Sequence, residues 1–260
     1  MPPSWNSLSG KTFWITGGAG YLGSAITAAL DEVAAKVVCI DLAAKAQELV
    51  QEKHLSRTVP FSWDLSDASR LEPTLERLVD EHGVPDGMAH LAYFSSAGKR
   101  LEQLTHADLA QTLVLTLPST FLLCRSLGEK MQSCGRGSIV LFSSMYGVVS
   151  PDPAMYPPPL TPNPIDYGAS KAAILQMTRY FAVHYGPGGV RFNSVTPGPF
   201  PNPHLLKNQP DFVARLRAKT PLNRVGHNSE IVGPTLFLLS DGASYVTGHS
   251  LAVDGGWTSW

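Results

Sequence analysis

Seven short, nearly continuous apolar runs separated by six stretches of helical pattern limit the fold of this chain more than any other feature. The runs are KTFWITG (11–17), KVVCID (36–41), VPFSWD (59–64), GMAHLA (87–92), SIVLFSS (138–144), RFNSVTPG (191–198) and SLAVDGG (250–256). Helical spacing occupies the intervals near 21–33, 43–53, 67–82, 105–133, 165–185 and 228–240. A strand that is apolar at almost every position is covered on both faces, and strands alternating with helices build a parallel sheet. The expected architecture is α/β, a three-layer doubly wound parallel sheet. No shift in composition marks a linker across the 260 residues, 43% of them hydrophobic, so a single domain over 1–260 is expected. In such sheets ligands bind outside the carboxyl ends of the strands, and candidate site residues are sought there.

The first strand runs into TGGAGYLG, Thr16 to Gly23. Gly17, Gly20 and Gly23 permit a tight turn, let backbone approach a diphosphate and bring helix and strand together, while Tyr21 and Leu22 open the helix whose N-terminus favours an anion. Asp41 ends the second strand 18 residues after Gly23. A carboxylate there accepts both hydroxyls of an adenosine ribose and repels a 2′-phosphate, which points to NAD rather than NADP. Its alternative role is to cap the helix that follows. Asp64 and Leu65, in WDLSD after the third strand, either meet the adenine or cap and pack. Ala92 and Tyr93, in HLAY after the fourth, complete this set of candidate coenzyme contacts.

Tyr167 and Lys171 stand four residues apart in a helical pattern, hence on one face. A free tyrosine has a pKa near 10, and a neighbouring ammonium favours phenolate. The expectation is a Tyr167 phenol made more acidic by Lys171. Ser143 and Ser144 end the fifth strand, where a hydroxyl can hold a substrate oxygen beside that phenol.

Taken together, TGGAGYLG, Asp41, WDLSD, GSIVLFSSMYG, YGASKAA, RFNSVTPG, PLNRVG and SLAVDGGW resemble, in order and over the whole length, the short-chain dehydrogenase/reductase family of Rossmann-fold enzymes. The resemblance implies Tyr167 as acid/base, Lys171 on the nicotinamide ribose and Ser144, the first residue of S-x-x-G, on the substrate oxygen. Both Tyr167 and Lys171 then touch the coenzyme. It also implies that Pro197, Gly198 and the backbone of Phe200 lie against the nicotinamide, with Asn202 bonding the carboxamide. Thr116 in TLPSTFL stands where a catalytic asparagine normally holds a relay water, and the usual N-A-G is absent. Pro118 lacks an N–H and crowds the carbonyl of Val114, so a kinked helix beside Thr116 with an acceptor for water is expected; the alternative is that Thr116 only packs.

Between Ser144 and Tyr167 lie 22 residues, more than the resemblance leads one to expect, and the excess is proline-rich, within 148–164. Prolines restrict the chain, so this insertion is read as a semi-rigid wall of the substrate pocket. Its Tyr156 and Asn163-Pro164-Ile165-Asp166-Tyr167 resemble the Y…N-P-x-x-Y pattern of a branch associated with bacterial surface-sugar and flagellin modification. Ser144, Tyr146, Tyr156 and Asn163 are the candidate substrate contacts, and 199–222 is read as the substrate-loop region. The implied activity is NAD-dependent interconversion of a secondary alcohol and a ketone on a polar substrate, sugar-derived in its narrower form. A catalytically weak NAD-binding scaffold and a sugar-nucleotide dehydratase or epimerase are the rivals.

Charge and cysteine content bound the partners. With 20 basic and 21 acidic residues and no basic cluster, neither nucleic acid nor an anionic membrane is expected. Three cysteines without C-x-x-C spacing argue for a reducing cytoplasm, and no metal site is expected. The N-terminal MPPSWNSLSGK has no signal-peptide core. The resemblance further implies a homo-oligomer, dimer or tetramer, built on the helices near 105–133 and 165–185, with Ala172, Ile174, Leu175, Phe181 and Val183 among the buried apolar residues.

Overall fold

The structure, a computed structural model, describes residues 5–42, 44–96 and 98–260. Seven strands, β1 (Thr12–Thr16), β2 (Lys36–Asp41), β3 (Thr58–Ser62), β4 (Gly87–His90), β5 (Gly137–Phe142), β6 (Val190–Pro197) and β7 (Ser250–Val253), form one sheet in the order β3-β2-β1-β4-β5-β6-β7. Every pairing is parallel. The helices are α1 (Gly23–Val33), α2 (Lys45–Glu52), α3 (Leu71–His82), α4 (His106–Ser133), α5 (Ile165–Tyr185), α6 (Pro203–Asn208), α7 (Pro210–Lys219) and α8 (Val232–Leu239).

Alternation along each strand sends side chains to opposite layers. Trp14, Val38, Ile40, Met88, Ile139, Leu141 and Phe192 face Leu75 and Leu78 of α3, Leu123 and Leu127 of α4, and Ile174 and Phe181 of α5. Phe13, Ile15, Ala89, Val140 and Val195 face Ile26 and Leu30 of α1 and Leu238 of α8. Ala46 and Leu49 of α2 cover Cys39. The three-layer expectation holds, and the direction of strand order reverses between β1 and β4, whose ends at Thr16 and His90 are register partners. One helix among the described residues, α4, is long and apolar enough to cross a membrane; here it packs between α3 and α5.

Two features of local structure bear on the expectations for 199–222 and Pro118. The segment 199–222 holds two helices, each opened by a proline at its first turn: Pro203 behind an Asn202 cap, and Pro210. Helix α4 continues through Pro118 as one α-helix from His106 to Ser133. The Ser119 hydroxyl bonds the Leu115 and Thr116 carbonyls, at 2.8 and 3.1 Å, and Thr120 bonds that of Thr116 at 2.8 Å, so side chains satisfy backbone acceptors around the proline.

Candidate active site

A cleft of about 430 Å³ opens at the carboxyl ends of the strands. Its lining includes Gly17, Gly20, Tyr21, Leu22 and Gly23 at one end, Tyr93, Ser144, Tyr167 and Lys171 in the middle, and Pro197, Gly198, Phe200 and Asn202 opposite. One concavity thus gathers most residues singled out in the sequence.

The glycine turn has little room for side chains. Gly17 has φ +69°, and a methyl there would lie 2.9 Å from the Ala92 amide nitrogen; at Gly23 it would lie 2.1 Å from the Gly17 carbonyl oxygen. Leu22 caps α1 without a side-chain bond, and the amides of Tyr21, Leu22 and Gly23 have no partner among the described residues. Three open N–H groups at the positive end of an 11-residue helix, in a turn without side chains, fit a diphosphate. Asp41 accepts from Ala19 N–H at 2.9 Å and Leu42 N–H at 2.8 Å. Its carboxylate therefore sits on the glycine turn, and it does not cap α2, which begins at Lys45.

At the reactive end, α5 carries Tyr167 and Lys171 while the turn after β5 carries Ser144. Lys171 Nζ donates to the Phe142 carbonyl at 2.9 Å, and Ser143 Oγ to the Lys171 carbonyl at 2.7 Å, so strand end and helix are locked together. The Lys171 ammonium lies 4.7 Å from the centre of the Tyr93 ring and 5.7 Å from that of Tyr167, and the two rings meet edge to face at 5.6 Å. Burial lowers Lys171 to about 7. Burial also pushes the Tyr167 phenol up to about 12, against a hydrogen bond from Ser144 that lowers it. The expected acid-strengthened phenol is not what the protein alone presents. Desolvation penalises both charged forms, and a lysine that sheds its proton near neutrality is a weak partner for phenolate.

Thr116 is buried and its hydroxyl lies 3.4 Å from both the N–H and the carbonyl oxygen of Phe94. Behind it runs a network that sequence reading missed. His90 Nδ1 is 2.6 Å from Thr16 Oγ1 and Nε2 is 3.0 Å from Thr120 Oγ1. Because Thr120 donates to the Thr116 carbonyl, it accepts from His90 Nε2–H, which leaves Nδ1 to accept from Thr16. Burial, then the Lys171 charge, lowers His90 to about 3 and keeps it neutral. Asp166, next to Tyr167 in the chain, is wholly buried and accepts from Ser96 N–H at 3.1 Å and the Thr112 hydroxyl at 2.5 Å, tying α5 to α4 and the loop after β4. The signals available were a polar residue in a buried strand and an acidic residue in the first turn of α5.

The proline-rich insertion packs as a wall against α7. Met155 and Tyr156 join Phe212, Leu216 and Trp257 in one apolar cluster, Tyr156 meets Phe212 at 5.0 Å, and Arg215 donates to the Ala154 carbonyl at 2.8 Å. The Tyr146 and Tyr156 hydroxyls are 2.6 Å apart. Of the four candidate substrate contacts, only Ser144 lines the cleft; Tyr146 and Asn163 line a second hollow of about 460 Å³ bordered by the insertion. Four candidate coenzyme contacts also stand away from the cleft lining, Asp41 on the glycine turn and three others. Leu65 is buried in the core, Asp64 holds a turn by accepting from Ser66 N–H at 2.9 Å, and Ala92 packs on the core cluster. Asn202 lines the cleft, with its side-chain oxygen accepting from Leu205 N–H at 2.9 Å and its amide nitrogen left open.

Residues 18–258 match the family model described as enoyl-(acyl carrier protein) reductase. The chain is 30% identical over 257 residues to galactitol 2-dehydrogenase of Rhizobium johnstonii, covering 97% of each chain. It is 30% identical over 258 residues to 2,5-dichloro-2,5-cyclohexadiene-1,4-diol dehydrogenase of Sphingobium indicum, covering 98% of this chain and 99% of that one. Among solved structures it is similar to a short chain dehydrogenase from Leptospira borgpetersenii with bound NAD+, at TM-score 0.83 and 30% identity, covering 98% of this chain and 95% of that one.

Proposed function

The chain belongs to the short-chain dehydrogenase/reductase family, and we propose that within it the protein is an NAD-dependent dehydrogenase interconverting a secondary alcohol and a ketone on a hydroxylated small molecule. The observation that carries this reading is the convergence of Ser144, Tyr167 and Lys171 on one cleft with the open amides of the glycine turn.

The groups on this chain fit the coenzyme: Tyr21, Leu22 and Gly23 amides for the diphosphate, Asp41 for a ribose diol, and Lys171 with Asn202 at the nicotinamide end. Bound NAD+ would supply the hydride acceptor and a positive charge that favours phenolate. Ser144 would hold the substrate oxygen, and Tyr167 in its phenolate form would take the hydroxyl proton as the carbon–hydrogen bond gives up its electron pair with the hydride. In the reverse direction Tyr167 returns that proton to the forming alkoxide. With its phenol pushed up to about 12, Tyr167 is protonated at neutral pH, so the oxidative direction needs the positive charge of bound coenzyme to bring it into the phenolate form. Thr116 supports the loop carrying Tyr93 through Phe94, and its carbonyl is already occupied by Ser119 and Thr120.

NAD is preferred over NADP because Asp41 offers like charge to a 2′-phosphate. Assembly as a homo-oligomer draws support from Val114 and Phe121 of α4 and Tyr180 and Val183 of α5, all exposed; Ile174 and Phe181 belong to the core instead. A cytoplasmic location accords with Cys39, Cys124 and Cys134 all being free thiols. The test of the reading is NADH formation from a panel of secondary alcohols, abolished by Ser144→Ala; a panel that yields none, with NAD bound, rejects it.

A further inference from the structure

We infer that the substrate is an uncharged cyclic diol, selected by the ring of Tyr93; the inference rests on the dehydrogenase reading and narrows it. Among the described residues lining the cleft, Lys171 is the one ionisable group other than tyrosines. Its ammonium already serves the Phe142 carbonyl and the faces of two rings, and burial weakens its charge near neutrality. A carboxylate or phosphate entering here sheds its water and meets no free cation. The ionised groups nearby are committed elsewhere: Arg215 to the Ala154 carbonyl, Arg224 to Glu230, and Asp254 to Gly256 N–H and the Thr258 hydroxyl. His90, behind Lys171, is neutral.

The same reckoning limits the number of hydroxyls. Ser144 and Tyr167 are used by the reacting C–OH. Tyr146 and Tyr156 bond each other, and the Asn202 oxygen caps α6. The Asn202 amide nitrogen is taken by the nicotinamide carboxamide, and what remains is the Tyr93 hydroxyl, which has no partner among the described residues. It suits one further hydroxyl, whereas an open-chain polyol would bury several unpaired ones.

The walls are shaped for a ring. Tyr93 turns one face to the Lys171 ammonium and remains 53% exposed in the cleft, leaving ring surface for an apolar partner. Phe200 and Leu205 line the same cleft. An aliphatic or dienyl ring set among Tyr93, Phe200 and Leu205 buries apolar surface that a linear polyol does not carry.

Steady-state NADH formation at saturating NAD is compared for cis-1,2-cyclohexanediol, xylitol and cis-4-hydroxycyclohexanecarboxylate. The expected kcat/KM for the ring diol exceeds each of the others at least about tenfold, and Tyr93→Ala removes most of that advantage, chiefly through KM. A merely structural role for Tyr93 would lower all three alike and leave their ratios unchanged, which overturns its part in selection. Faster turnover of xylitol or the carboxylate overturns the cyclic-diol inference while the dehydrogenase reading stands. No NADH from any of the three, with NAD bound, overturns the inference, and silence across the wider alcohol panel overturns the dehydrogenase reading as well.

Discussion

Lys171 holds its ammonium 2.9 Å from the main-chain carbonyl oxygen of Phe142, with 3% of the residue reaching solvent. Burial lowers its pKa from 10.5 to about 7, so between those values the unfolded chain carries a proton that the folded protein has released. The contribution of Lys171 to stability therefore rises with pH across that window and is constant below it, while the buried Cys39 and Cys124 thiols, raised above 9, oppose it at the alkaline end. Lys171→Met should flatten the rise between pH 7 and pH 10, measured as urea midpoint against pH. Parallel curves for the two proteins would show that Lys171 keeps an ordinary pKa.

His90 predicts the acid side. Its folded pKa is lowered from 6.5 to about 3, so below 6.5 the unfolded state takes up a proton that the Thr16–His90–Thr120 network refuses. Stability is then lost as pH falls through that interval. His90→Gln, which keeps a donor and an acceptor, should retain more of its neutral-pH stability at pH 4 than wild type does. An equal acid loss in both would exclude His90 as a contributor.

Asp41 should enforce coenzyme choice. NAD is expected to bind at least about tenfold more tightly than NADP, and Asp41→Asn, which can still accept from Ala19 N–H, should narrow the gap mainly by improving NADP. Titration of intrinsic fluorescence measures both. Equal affinities in wild type would show that the carboxylate does not meet the ribose.

The proline insertion makes a kinetic prediction. Replacing 150–162 with a short Gly-Ser turn removes Met155 and Tyr156 from the cluster with Phe212 and Trp257, and with them the wall beside Tyr167. NAD binding should persist while KM for the alcohol rises or kcat collapses. Unchanged kinetics would make the insertion a surface feature.

Strands and their order of appearance were legible because a buried parallel strand must be apolar on both faces, as Val37 to Ile40 are. Helices α6 and α7 escaped notice because six and ten residues carry little periodicity, although Asn202-Pro203 is a start signal. Tyr167 and Lys171 were legible through spacing, since a helix places positions four apart on one face, and Ser144 through the resemblance carried by S-x-x-G. Tyr146 and Tyr156 were read as substrate contacts, but their mutual 2.6 Å bond depends on how the insertion folds back, which no local pattern encodes. The Tyr167 pKa failed for a related reason: adjacency to Lys171 is visible in sequence, whereas the depth at which both are buried is a tertiary property.

Tyr167 is proposed to move the proton in an NAD-linked oxidation, and Tyr167→Phe removes that one function. The phenyl ring keeps the contact with Tyr93 and removes only the hydroxyl. With an alcohol that wild type oxidises, NADH formation by Tyr167→Phe should fall about 10²- to 10⁴-fold in kcat while the NAD dissociation constant stays within about twofold. Turnover at the wild-type rate, with coenzyme bound equally well, would contradict the account and place the acid/base elsewhere in the cleft.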